Sequence, residues 1–180
     1  MQIPKQQILL SNHSGFTLLE LVITIVLLAI LSITVLPKFI NLKSDANISV
    51  ISATVGAIKS SVPMFKFKTI TAGTGFTSEI EILGVKGSYY QPWAVTATPT
   101  GFLANYSSPP EIFEWAGIDP ADWAYRIFIS NGTYAVVAAP KNVLDLAEPS
   151  ESEVKATNCY FIYHWQGSGE PILTTVFTGC

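Results

Sequence analysis

The sequence predicts an α+β fold in which one long N-terminal helix packs on a four-stranded antiparallel sheet. Three observations carry this. Residues 16–36 (FTLLELVITIVLLAILSITVL) are apolar apart from three Thr, one Ser and Glu20. Ile48, Ile51, Val55, Ile58, Val62 and Phe65 then recur at alternating spacings of three and four. Finally, the C-terminal third alternates strand-like apolar runs with turn signals.

The apolar run comes first. As a helix, residues 16–36 span about 31 Å, enough for a bilayer core of about 30 Å. A secretory signal places its small-residue cleavage site after the apolar run. Here the small residue, Gly15, precedes the run, and Pro37-Lys38-Phe39 follows it. The segment is therefore expected to stay on the mature chain. Lys5 lies on one side, Lys38 and Lys43 on the other, so charge does not orient the span.

The 48–65 stripe marks one face of an amphipathic helix, with Ser44, Asp45, Asn47, Ser49, Ser52, Lys59 and Ser60 on the rest of its circumference. Residues 16 to about 68 read as one helix, apolar all round in its first half and amphipathic in its second. A proline inside a helix removes a backbone bond and costs about 3 kcal/mol. A kink is expected near Pro37, and a kink or the helix end near Pro63.

Residues 70–108 read as a long irregular connection with short strands at best. Pro109-Pro110 before and Gly117 after the intervening residues predict a short helix. Asp119, Pro120 and Asp122 predict a second start, with Asp119 as N-cap. Tyr125–Ser130 and Thr133–Ala138 flank Asn131-Gly132, the favoured pair of a type I′ hairpin turn. A polar loop follows over 140–158. A second hairpin is expected from Cys159–Trp165, a turn over 166–170, and Ile172–Thr178. One face of the resulting meander has to cover the 48–65 stripe, since an amphipathic helix hides its apolar side by layer packing.

Composition narrows the function. Charged residues are 13% of the chain, about half the usual share, so much of the surface is not made for water. Net charge is −3 and there is no basic stripe, which argues against nucleic acid. No nucleophile–His–acid set, phosphate loop or metal spacing is visible, so neither an enzyme nor a cofactor is expected. Cys159 and Cys180 leave three readings open: two buried thiols, a metal pair, or a disulfide. His164 alone does not complete a metal site, and a disulfide would imply an oxidising compartment. Glu111, Glu114, Asp119 and Asp122 read as helix-start residues, and His164 as a packed or surface strand residue. Trp93, Trp115, Trp123 and Trp165 read as core or interface aromatics, with a glycan-binding patch as the sharper alternative.

Gly15-Phe16-Thr17-Leu18-Leu19-Glu20-Leu21 before a long apolar run resembles the type IV prepilin signature. The retained helix, the central connection, the sheet and the late Cys pair resemble that family's layout over the whole chain. Pro37-Lys38-Phe39-Ile40-Asn41-Leu42 with Asp45-Ala46, together with Cys159-Tyr-Phe-Ile-Tyr, Pro171 and Thr178-Gly179-Cys180, is similar to the mannose-sensitive haemagglutinin type of pilin. The chain departs from the pattern in its leader, which holds only Lys5, and in Pro63. Tyr89-Tyr90 and Trp93 match nothing in it.

The resemblance implies a leader of residues 1–15, a membrane and assembly segment of 16–36, and an extracytoplasmic domain of 37–180. It implies that prepilin peptidase cuts after Gly15 and methylates the amine of Phe16. Gly at the cut lets the backbone enter a tight site. Glu20 costs about 2.5–3.5 kcal/mol in a membrane span, so it needs a partner; the Phe16 amine of a neighbouring subunit is the natural one. A mispaired subunit would leave both charges alone, so the pair would set assembly register. Thr17, Thr24, Ser32 and Thr34 are expected to bond helical carbonyls or neighbouring helices. A Cys159–Cys180 disulfide would staple the C-terminus to the sheet, contributing about 3 kcal/mol.

The implied partners are identical or homologous pilin subunits, prepilin peptidase, the inner-membrane assembly machinery, the lipid bilayer and possible surface glycans. The implied location is the inner membrane, then an extracellular pilus used for adhesion. A pseudopilin of a type II secretion system and a minor pilin are the alternatives. The late Cys pair favours a pilin, since major pseudopilins typically lack it. Secretion pseudopilins bind calcium in a late loop, which makes the acids of 145–153 the one place to look for a cation.

Overall fold

The structure is a computed structural model that describes residues 16–74, 76–77, 79–98, 101–103 and 108–180, without the side chains of 35–41, 97–98 and 101–103. The expected leader, Gly15 included, lies outside the described residues. The chain divides into two compact units, Met1–Asn41 and Leu42–Cys180. Helix α1 is assigned over Leu18–Thr71. The kink expected at Pro37 falls among residues whose side chains lie outside the described set.

In the first unit, the described part of α1 over Leu18–Thr34 is an apolar helix. Its large side chains are exposed on every side, from Leu18 at 80% to Ile33 at 76%. A helix apolar all round has no solvated face and needs an apolar environment on all sides.

In the second unit, the α1 stripe is the floor of the core. Ile51, Val55, Ile58, Val62 and Phe65 are buried, and Ile48 is half-buried. Of the two outcomes expected at Pro63, a kink or the helix end, the second does not occur. Pro63 lies on the exposed side, and so does Lys59, whose carbonyl loses its helical partner. Val62, Phe65 and Thr69 hold the turns on either side in the core, and the helix runs on to Thr71. By length and composition alone Leu42–Thr71 also passes for a membrane span. Its buried stripe beneath the sheet makes it a core helix instead.

The described residues of the 70–108 connection carry short strands, paired in two small sheets. Strands β1 (Ile80–Ile82), β2 (Val85–Ser88) and β3 (Gln91–Pro92) form a three-stranded antiparallel sheet, and β4 (Thr96–Thr98) pairs with β5 (Gly101–Leu103). Ile80, Ile82 and Val85 cluster on Phe65, with Trp115 edge-on to the Phe65 ring at 5.0 Å. Helix α2 (Glu111–Ala116) follows Pro110 and ends at Gly117, whose φ of 67° closes the helix in the left-handed region. The next start is a single 3₁₀ turn, Pro120–Asp122, capped by Asp119 on the amide of Ala121.

The last four strands run in chain order: β6 (Trp123–Ser130), β7 (Thr133–Pro140), β8 (Tyr160–His164) and β9 (Ile172–Val176). Asn131 and Gly132 have φ of 52° and 79°, as a type I′ turn requires. Period-two alternation then gives each strand two destinations. Ile127, Val136, Ala138, Phe161 and Tyr163 face the α1 stripe. Phe128, Ala135, Val137 and Ala139 face the other way, onto Val154 of α3 (Glu151–Ala156). The expected 140–158 loop thus contains a helix that covers the back of the sheet.

Candidate processing and assembly segment

Glu20 lies in the first turn of α1. The N–H and the hydroxyl of Thr17 both donate to its Oε2 at 3.0 Å, and the N–H of Glu20 donates to Thr17 Oγ1 at 3.2 Å. This reciprocal arrangement is a capping box, and Thr17-Leu-Leu-Glu20 is its sequence form. The expected partner of Glu20 lies on another subunit; the structure adds one in its own first turn. The T-x-x-E spacing would have shown the local one. Both bonds land on Oε2, so Oε1 keeps its capacity to accept from elsewhere.

Other hydroxyls of the span are satisfied along the helix. Thr24 donates to the carbonyl of Leu21 at 2.8 Å, Ser32 to that of Leu28 at 2.7 Å, and Thr34 to that of Leu31 at 2.9 Å. A polar atom that bonds its own helix carries little penalty into hydrocarbon. The segment therefore presents lipid or protein with apolar surface and one carboxylate, at its N-terminal end.

Cys159 and Cys180 are joined by a disulfide, with Cα atoms 4.7 Å apart. Cys159 precedes β8 and is fully buried. The chain end is docked by backbone bonds as well, from Gly179 N–H to the Asn158 carbonyl at 2.8 Å and from Cys180 N–H to that of Phe177 at 3.1 Å. A Cβ on Gly179 would sit 2.0 Å from the carbonyl oxygen of Thr157. Only glycine fits between the Thr157–Asn158 corner and the terminal cysteine.

The remaining candidates have local duties. Glu111 is buried and accepts the backbone N–H of Lys86 at 2.8 Å, tying α2 to β2. His164 Nε2 meets Thr133 Oγ1 at 2.7 Å and the Ser130 carbonyl at 3.1 Å, while Nδ1 meets Gln166 Nε2 at 3.0 Å. It links the tips of both hairpins. In the acidic stretch, Glu153 accepts the N–H and hydroxyl of Ser150, each at 2.7 Å, and Glu151 pairs with Lys155. Among the described residues no cluster of three or more His, Cys, Asp or Glu is placed to hold a metal ion. Trp93 and Trp123 are buried in the main core, Trp115 donates to the Ser61 carbonyl at 2.6 Å, and Trp165 packs at the core's margin.

Residues 10–36 match the model of the prokaryotic N-terminal methylation motif. The match spans the Gly15–Phe16 junction, Glu20 and the apolar run. The match supports an N-terminal signal of the type IV pilin-like or pseudopilin kind. Comparison with curated proteins and with solved structures gives no match.

Proposed function

We propose that the chain is the precursor of a type IV pilus subunit of the mannose-sensitive haemagglutinin type. Prepilin peptidase cuts after Gly15 and methylates Phe16. Residues 16–36 hold the product in the inner membrane, and the same apolar surface then packs against neighbouring subunits in an extracellular filament used for attachment. The observation that carries this reading is the matched N-terminal motif leading into an apolar helix with a single acid in its first turn.

Glu20 has two tasks in this scheme. Its Oε2 caps the helix through Thr17. Its negative charge pairs with the methylated amine of Phe16 on the next subunit, which fixes register because an unpaired charge in a low-dielectric core is costly. The two tasks are separable. Glu20→Gln keeps an oxygen for the cap and loses the charge, whereas Glu20→Ala loses both. Both variants are expected to insert and to be cut, and both to give little sheared filament. Normal fibre yield from Glu20→Gln would reduce Glu20 to a helix cap, and normal yield from Glu20→Ala would remove both roles.

A pseudopilin carries the same signal. The Cys159–Cys180 disulfide favours the pilin reading, because major pseudopilins typically lack a late Cys pair.

A further inference from the structure

Two-residue hairpin turns of type I′ need positive φ at both central positions, which is why Asn-Gly is preferred there. Asn131-Gly132 follows that preference between β6 and β7. Between β2 and β3 the two positions are held by Tyr89 and Tyr90, with φ of 50° and 68° and Ser88 paired to Gln91. Two large side chains in tandem in the left-handed region are a strained choice, and such outliers gather where a ligand is clamped.

The turn presents its rings as one wall of a small cavity. Phe76, 58% exposed, has its ring centroid 4.7 Å from that of Tyr89 and 5.6 Å from that of Tyr90, each pair tilted by about 50°. The N–H of Tyr89 donates to the Thr77 carbonyl at 3.0 Å, which holds the Phe76 segment on the turn. The rest of the lining comes from α1 and from the segment before β9. The buried side-chain amide of Gln91 donates to the Gly169 carbonyl and so ties that segment to the β2–β3 turn. Glu170 follows directly, and its carboxylate pairs with Lys66 Nζ at 3.3 Å. Both side chains are partly exposed, so a ligand can reach both charges. The cavity holds about 230 Å³. Sites for drug-sized ligands begin at about 300 Å³, so this one takes a single compact group.

The charges and the rings select the ligand together. A lone cation competes with Lys66, whose Nζ already lies 6.0 Å from the Tyr90 ring centre. A lone anion meets Glu170. A zwitterion laid head to tail along the ion pair satisfies both, with its anionic end on the Lys66 ammonium and its cationic end on the Glu170 carboxylate. The rings decide which cation. The negative faces of tyrosine and phenylalanine favour a quaternary ammonium, whose methyl groups leave it weakly hydrated. Drawing Lys66 onto the anion also gives the Tyr90 face to those methyl groups. We propose that this pocket binds a phosphocholine group, with its ammonium against Phe76, Tyr89, Tyr90 and Glu170 and its phosphate against Lys66. The site goes beyond the filament role and does not depend on it.

The test uses the full chain in nanodiscs of phosphatidylglycerol, which carry no choline, and saturation-transfer difference NMR. The probes are phosphocholine, choline and glycerol phosphate. Saturation is expected on the N-methyl protons of phosphocholine and not on glycerol phosphate. Choline is expected to bind about fivefold more weakly, the share that an exposed ion pair contributes at most. The double variant Tyr89→Asn/Tyr90→Gly keeps the turn that the backbone prefers and removes both rings, so it is expected to fold and to lose the signal. Lys66→Met keeps the rings and leaves Glu170 alone, so it is expected to reverse the order and favour choline. Leu83→Asn, outside the pocket, is expected to change neither. Phosphatidylcholine vesicles separate the sources of the group: co-sedimentation beside transfer to phosphocholine extends the site to a lipid headgroup, and transfer without co-sedimentation confines it to the free solute. Absence of transfer to phosphocholine overturns the proposal, whatever the vesicles do, as does transfer that survives the double variant. Choline bound as tightly as phosphocholine by the parent overturns it too, and makes the pocket a cation cage.

Discussion

Leu83 stands at the tip of the β1–β2 hairpin with φ of 53°, followed by Gly84 at 87°, and is 78% exposed. A side chain that buries nothing gains nothing for its left-handed backbone, which costs roughly 1–2 kcal/mol for an L-residue other than Asn or Asp. Leu83→Asn is therefore expected to raise stability by about 0.5–1 kcal/mol, measured by denaturant unfolding. An unchanged or lowered midpoint would mean that Leu83 packs in a way its exposure does not reveal. Among the described residues, three two-residue hairpin turns differ in how plainly their residues mark them. Asn131-Gly132 announces its turn because its residues are those the turn prefers. Tyr89-Tyr90 and Leu83-Gly84 fill the same geometry with residues that do not advertise it, so the sequence predicts short strands at best there and does not place β1, β2 and β3. Glu20 was legible as an acid out of place. Its cap on Thr17 is carried by the T-x-x-E spacing, a signal independent of any partner on another subunit.

Short elements hide where tertiary contacts are few. α3 buries only Val154 and carries no apolar stripe, so periodicity was silent. Its signal lay in Ser150-Glu-Ser-Glu153, a complete capping box whose two side chains both bond as the motif requires. Ser150→Ala removes the cap and is expected to cost about 1 kcal/mol. The hydrogen bonds from Ser150 hold the Glu153 carboxyl below its usual range. A carboxyl with a depressed folded value adds stability above its unfolded value and loses it as pH falls through the folded one. Acidification is thus expected to weaken α3 in the parent. In Ser150→Ala the Glu153 titration should move up toward the ordinary value, as followed by carboxyl NMR. An unmoved titration would contradict the cap. α1 teaches the opposite lesson. Its stripe was legible from Ile48 to Phe65 because burial there follows the helical period, and the same burial carries the helix past Pro63, where local rules alone would end it.

Across the whole molecule, a helix with an all-apolar start and an amphipathic continuation was legible because each half obeys one period. The sheet was legible because its turns and its alternation agree. What sequence could not give was which face each strand sends to α1 and which to α3, since β7 is apolar on both faces, with Val136 and Ala138 on one and Ala135, Val137 and Ala139 on the other. The disulfide closes the last hairpin into the chain end. Its reduction is expected to lower the stability of the Leu42–Cys180 unit by about 3 kcal/mol, read as the shift in unfolding free energy with and without reductant. A shift near zero would mean that the backbone bonds of Gly179 and Cys180 hold the terminus alone.

Under the proposed function residues 1–15 are removed and the rest leaves the cell in a filament. The most direct test is the intact mass of the protein in material sheared from the cell surface, with and without thiol reduction. The expected mass is that of a chain that begins at Phe16, carries one extra methyl group, and gains two hydrogens only on reduction. The same mature chain confined to the membrane fraction would favour the pseudopilin reading. A chain that still begins at Met1 would contradict the account at its root.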